Sequence, residues 1–153
     1  MQKLTKVSKG FTLIEILVVI GIIAVLATIV IIAINPARQF AQARNTQRTA
    51  NVNAILNAIG QNLADNKGVF TCAGIGAPIA AATTSIGTAV GNSNLASCLV
   101  PTYIPEIPMD PNGGTTADTA YDVSVNSVGR YLLCAPNANE AALGNPGALC
   151  VTR

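Results

Sequence analysis

Of the residues able to do chemistry, one carboxylate stands where a carboxylate is costly. Between Phe11 and Ile34 the chain is predominantly apolar and carries a single charge, Glu15. A charge at the centre of a membrane segment costs about 2.5–3.5 kcal/mol, less toward the interface, and normally has a partner. Glu15 therefore calls for a cation. The other chemical groups are sparse. There is no histidine, which removes the commonest general base. Glu106, Asp110, Asp118, Asp122 and Glu140 are scattered, and Gly113-Gly114 lacks the Lys-Ser or Lys-Thr of a phosphate-binding loop. The set contains no catalytic constellation and no organic cofactor site, so the chain does not read as an enzyme. Asp110, Asp118 and Asp122 cluster around a turn and offer the oxygen ligands that calcium takes. Their spacing fits no fixed pattern, and solvated loop carboxylates are the simpler reading.

Cys72, Cys98, Cys134 and Cys150 all lie beyond the apolar run. They include no Cys-x-x-Cys pair and have no histidine to help, which weakens zinc and redox-motif readings. An even count in a small extracytoplasmic domain points to disulfides, with three connectivities open.

The elements that must position these groups follow from hydrophobic patterning. Half of the 153 residues are hydrophobic and only 10% are charged, but the apolar content is uneven. A basic stretch over residues 1–10 carries Lys3, Lys6 and Lys9. The apolar run behind it, residues 11–35, would span about 36 Å as a helix, enough to cross a bilayer core. An ordinary secretory signal has the same order, but it is cut after its apolar core at a small-x-small site. Here Asn35-Pro36-Ala37-Arg38 and a helical pattern follow instead.

Residues 36–66 continue as an amphipathic helix. Val52, Ile55, Leu56, Ile59 and Leu63 form one stripe. Arg44 and Arg48 lie on another face, read as solvated, as topology signals or as contacts to acidic neighbours. Pro36 should kink this long helix by removing an amide donor and crowding the carbonyl four residues earlier. Gly21 is a second soft point, and Gly68 is a left-handed cap at the helix end.

The remainder, residues 67–153, forms a head. Ile79, Ile86 and Val90 approximate helical spacing within residues 73–97, and Asn92-Ser93-Asn94 could cap a short helix ending at Pro101. The stretch from Tyr103 to Pro111 is too rich in proline for a central strand. Tyr121, Val123 and Val125 alternate with polar residues, Asn126–Gly129 turns, and Arg130–Ala135 returns as a second strand. The fold class is α+β: a long N-terminal helix packed against a small antiparallel sheet. A head of about 85 residues is marginal by core burial, so covalent staples would help it. No basic stripe interleaved with aromatics suggests nucleic acid as a partner.

Lys9-Gly10-Phe11-Thr12-Leu13-Ile14-Glu15 resembles the processing signal of type IV pilins and type II secretion pseudopilins. The resemblance covers residues 9 to about 65 well and the rest loosely. It implies a pilin-like fold and removal of the leader between Gly10 and Phe11 by a prepilin peptidase. The same enzyme would N-methylate the new amine on Phe11. Glu15 would then be the fifth residue of the mature chain and meet the amine of a neighbouring subunit. At about 4 Å and an effective dielectric of about 20 that attraction is on the order of 4 kcal/mol before desolvation is subtracted. The resemblance further implies a homo-oligomeric helical filament, driven by an assembly ATPase and platform machinery. The precursor would sit in the inner membrane with its head extracytoplasmic, and then enter a surface pilus or periplasmic pseudopilus.

Type IV pilins often staple a C-terminal loop, which favours Cys134–Cys150 and leaves Cys72–Cys98. Closing a loop of about 15 residues contributes about 3 kcal/mol on the chain-entropy model. The stapled loop leans toward a pilin, and the Ile104–Pro111 stretch leans toward a pseudopilin. Major pseudopilins carry a calcium site in a comparable loop. Ile32 stands where many family members have a proline, so Pro36 displaces any softened segment. The alternative from another class is a membrane-anchored binding module. N-terminal mass spectrometry of assembled material should find N-methylated Phe11 as the first residue; filaments retaining Met1 would overturn the processing site.

Overall fold

The structure is a computed structural model that describes residues 10–72 and 79–153. The basic leader with Lys3, Lys6 and Lys9 lies outside the described residues, as does the opening of the expected 73–97 helix. The chain divides into two units, Met1–Gln39 and Phe40–Arg153.

In the first unit, helix α1 runs Leu13–Ile34 and buries none of its residues. It is long and apolar enough to cross a membrane. Its one internal hydroxyl is satisfied locally, because Thr28 Oγ1 donates to the Ala24 carbonyl at 2.8 Å. Helix α1 ends where Asn35 adopts a left-handed conformation (φ 46°), one of the few residue types that tolerate it. Helix α2, Pro36–Asp65, starts at once. Arg38 N donates to both the carbonyl and Oδ1 of Asn35, and Gln39 N to the carbonyl. Asn35 thus closes one helix and caps the next. Pro36 occupies a first-turn position, where its missing N–H costs nothing and its fixed φ suits the helix. A single helix kinked by a proline in its interior is therefore replaced by two helices in sequence.

In the second unit, Val52, Ile55, Leu56 and Ile59 of α2 are buried and Leu63 is half-buried. They pack with Phe70, Ile104, Tyr121, Val123 and Leu133 in one core. The sheet has four antiparallel strands in the order β1 (Thr84–Ser85), β2 (Asp122–Val125), β3 (Tyr131–Ala135) and β4 (Leu149–Thr152). The β2–β3 hairpin follows the alternation of Tyr121 and Val123, both fully buried. The polar crossing from Tyr103 to Pro111 contains no strand. At the far end of α2, Gly68 has φ +87° and its amide donates to Leu63 O, a left-handed helix end that suits glycine.

Two expectations differ. From Ile79 to Asn94 the described part of the 73–97 stretch holds β1 rather than a helix: Ile86 N donates to Tyr121 O, and Thr119 N to Ile86 O. Gly87 explains part of this, since a Cβ there would fall 2.1 Å from the Ala117 carbonyl oxygen. Ile79 and Ile86 are buried without being helical, and Val90 is fully exposed. The short helix before Pro101 exists as α3, Ala96–Leu99, but Leu95 holds its N-cap position without a side-chain bond, so the Asn92–Asn94 cap is not used.

The C-terminal segment also goes beyond a pinned loop. It becomes β4, in register with β3, and places Cys150 directly opposite Cys134. These two are bonded, as are Cys72 and Cys98. The second bond ties the segment leaving α2 to α3. Cys134→Ser should destabilise the head by about 2–5 kcal/mol in denaturant titration and make it protease-sensitive, while α1 still inserts. Non-reducing peptide maps of the unaltered chain should show Cys134 linked to Cys150; linkage to Cys72 or Cys98 would refute the register.

Candidate functional site

The segment carrying the chemistry begins outside any helix or strand. Gly10 and Phe11 are exposed and precede the first helical residue, with Phe11 81% accessible. An uncrowded peptide bond is what a protease requires, and among the described residues nothing lies within 4 Å of a Cβ placed at Gly10. Thr12 sits at the N-cap of α1 with φ −83° and ψ 149°. Its Oγ1 accepts from Glu15 N at 3.3 Å, and Glu15 Oε2 accepts from Thr12 N at 3.4 Å. This reciprocal pair is a capping box. The Thr-x-x-Glu signal was present in the sequence but is masked by the stronger demand for a cationic partner. Glu15 is thus exposed and held toward the start of its own helix, four residues from Phe11. Behind it α1 is an all-round apolar surface, from Leu13 to Ile34, with no residue buried.

A second polar constellation lies in the head, and sequence patterning did not find it. Arg44 and Arg48 do not form a merely solvated face; both are paired within the chain. Arg48 is fully buried and binds Asp110 with two bonds, Nε to Oδ2 at 2.6 Å and Nη2 to Oδ1 at 3.0 Å. Its Nη1 reaches Glu140 Oε1 at 2.6 Å and Asn45 Oδ1 at 2.8 Å. Arg44 forks onto the same Glu140 through two bonds of 2.7 Å. Asn45 Nδ2 donates to Ala138 O. Two cations therefore meet two carboxylates, and α2 is tied to both the proline-rich crossing and the loop after β3. The guanidinium bonds of Arg44, then of Arg48, hold the Glu140 carboxyl down at about 2. Burial pushes the Asp110 carboxyl up, but bonds from Arg48, the Asn112 amide and Asn137 outweigh it, and the net shift is downward. The bond to Asp110, opposed by burial, raises the Arg48 guanidinium further above its ordinary range. The neighbouring Tyr121 hydroxyl accepts from Asn51 at 2.9 Å, and burial raises the phenol.

The three aspartates suggested for calcium are not brought together. Asp110 is consumed by Arg48, Asp118 Oδ1 accepts from Ala120 N, and Asp122 Oδ1 accepts from Ser85 Oγ. Among the described residues no group of three or more His, Cys, Asp or Glu side chains is arranged to hold a metal.

Residues 5–31 match the family described as the prokaryotic N-terminal methylation motif. This is the prepilin-type signal of type IV pilins and pseudopilins, and it covers Gly10, Phe11, Glu15 and most of α1. No curated protein and no solved structure matches the chain. The motif at the head of an apolar helix, with a four-stranded antiparallel sheet beyond, fits a pilin-like α+β arrangement.

Asp110→Ala leaves Arg48 buried with half its compensation, and should cost about 3–5 kcal/mol by chemical denaturation. Replacing Arg48 and Asp110 together by apolar residues should cost less than that, because no uncompensated charge remains. The Glu140 carboxyl, ordinarily near 4.5, is depressed to about 2 in the folded head. Its contribution is complete above the ordinary value and is lost as pH falls through about 2. Thermal unfolding followed from neutral pH to about pH 2 should fall more steeply for the unaltered head than for Glu140→Gln.

Proposed function

We propose that the chain is a non-enzymatic structural subunit of a type IV pilus or related filament. One observation carries this reading: α1 is apolar on every side, buries nothing within its own chain, and is headed by the methylation motif. Apolar surface on that scale must be covered by lipid or by other copies. The precursor is anchored in the inner membrane through α1, with the head outside the cytoplasm. A prepilin peptidase cuts between Gly10 and Phe11 and methylates the new amine. The machinery that extracts the subunit is an assembly ATPase with its membrane platform.

Cleavage changes the electrostatics at one point. It creates an α-amine with a reference pKa near 8, mostly cationic at neutral pH. In the uncut chain Glu15 is engaged by its own capping box. In the filament it faces the Phe11 amine of the adjacent subunit, which fixes axial register between helices whose apolar surfaces would otherwise slide. The disulfide that staples the β3–β4 pair supports the pilus over the secretion pseudopilus, and adhesion or motility would then be read by the exposed loop between the two cysteines. Electron microscopy of surface filaments with mass spectrometry of the purified fibre tests the assignment.

The Glu15 role is separable from its capping role. Glu15→Gln keeps an N3 side chain able to complete the capping box but removes the charge. Membrane insertion should be unchanged or improved for both Glu15→Gln and Glu15→Ala, while filament yield should collapse in both. Normal yield from Glu15→Gln would show that capping, and not charge pairing, is what the residue supplies.

A further inference from the structure

An apolar cleft of about 230 Å³ opens in the head between Ile86, Leu95, Val100, Ile107 and Met109, with Glu106 at its margin. Glu106 is exposed, and among the described residues it makes no ion pair. At the opposite end of β2 the turn Asn126–Arg130 presents Val128, 78% accessible, beside an exposed Arg130 that is likewise without an ion pair. We propose that the cleft receives the β2–β3 turn of a second copy of this chain, with Val128 entering the apolar space and Arg130 reaching Glu106. The proposal rests on the filament reading and names a head-to-head contact within it.

Three features single out this pair. The turn is preorganised: Asn126 Oδ1 accepts from both Val128 N and Arg130 N, and Asn126 N donates to Arg130 O. A rigid projection loses little conformational freedom on docking. Charge is also divided along the sheet. Arg130 lies next to Tyr131, whose backbone pairs with Arg153, so one end carries two arginines. The other end carries Glu106 on the cleft, and the exposed Asp118 falls in sequence between the lining residues Thr116 and Thr119. Val69 is also exposed and near a lysine, but Asp65 sits in the same helix end as Lys67 and offsets it; Val90 has no adjacent charge.

Finally, the turn and the cleft lie beyond opposite ends of β2. A strand of four residues spans about 13 Å, so one head cannot fill its own cleft. Each copy then offers a plug at one end and a socket at the other. Such a heterologous contact does not close on itself unless it forms a ring, and it propagates as an open helical array.

The test uses the full chain in cells. Val128→Cys and Met109→Cys placed together in one chain should yield a ladder of covalent oligomers when filaments are oxidised, and neither change alone should exceed background. In parallel, Glu106→Arg and Arg130→Glu should each lower filament yield by about tenfold, and the two combined should restore it to within about threefold. Monomers only from assembled double-cysteine filaments, or full yield from both single charge variants, would overturn this contact and leave the filament reading standing. An unaltered chain that forms no filaments would overturn the filament reading and this contact with it.

Discussion

A 22-residue helix that buries nothing within its own chain imposes a condition on everything else in the molecule. At roughly 25 cal/mol per Å² of apolar surface, leaving such a helix in water is not an option, so its environment must be supplied from outside. Lipid meets the condition for a single chain, and packed copies meet it for an assembly. The capping box then takes on added weight. In a medium without water each unsatisfied backbone donor costs several kcal/mol, and Thr12 with Glu15 satisfies two donors at the end of α1 where Phe11 leads in. One carboxylate thus caps the start of the helix and, on the proposed processing, would also face the charge that cleavage creates.

The head solves a different problem. Its core is assembled from one face of α2, a four-stranded sheet with a two-residue edge strand, and segments with little regular structure. Few aromatics are available, since Phe70, Tyr103, Tyr121 and Tyr131 are the only ones it holds beyond Phe40. Polar ties compensate for the thin core. Asn62 illustrates the strategy: its Nδ2 donates to Thr71 O and its Oδ1 accepts from Thr71 N, so a helix side chain pairs the segment after α2 as a strand would. Arg48 does the same at higher charge, engaging residues 62 and 92 positions away. Such a network contributes less to net stability than its short bonds suggest, because burying the ions is costly. Its effect is to leave one arrangement of crossing, loop and helix in which every charge is matched.

What could be read from the sequence was what local spacing encodes. The apolar run, the α2 stripe, the glycine at residue 68 and the alternating hairpin each repeat within a few residues, and periodicity reports them directly. The short motif at Gly10–Glu15 was also legible, because its residues are contiguous. The misses share the opposite property. Arg44 and Arg48 looked like a solvated face because Asp110 and Glu140 are distant in sequence and only the fold brings them close. Strand β4 is four residues long and acquires its identity from pairing with β3. Ile79 and Ile86 sat at spacings compatible with a helix, yet two buried positions seven apart cannot separate a helix from a folded-back extended segment. Asn35 and Pro36 were adjacent breakers, and the local rule for proline alone assigned to Pro36 a kink that the left-handed asparagine takes up first.

The two cysteine bonds set an order of events. Each closes within the head, and each requires two thiols to meet where oxidation is possible. A reducing cytosol would leave both open, so on the proposed membrane-anchored reading the head would reach its final stability only after leaving that compartment, while α1 needs nothing but hydrocarbon around it. On that reading anchoring would come first and maturation second. A head that stays reduced would be loosely closed at both β4 and the exit from α2, and so exposed to proteolysis as a single chain. In the proposed filament, oxidation would thereby act as an inspection step, passed or failed one subunit at a time, before a defective copy could be built into anything larger.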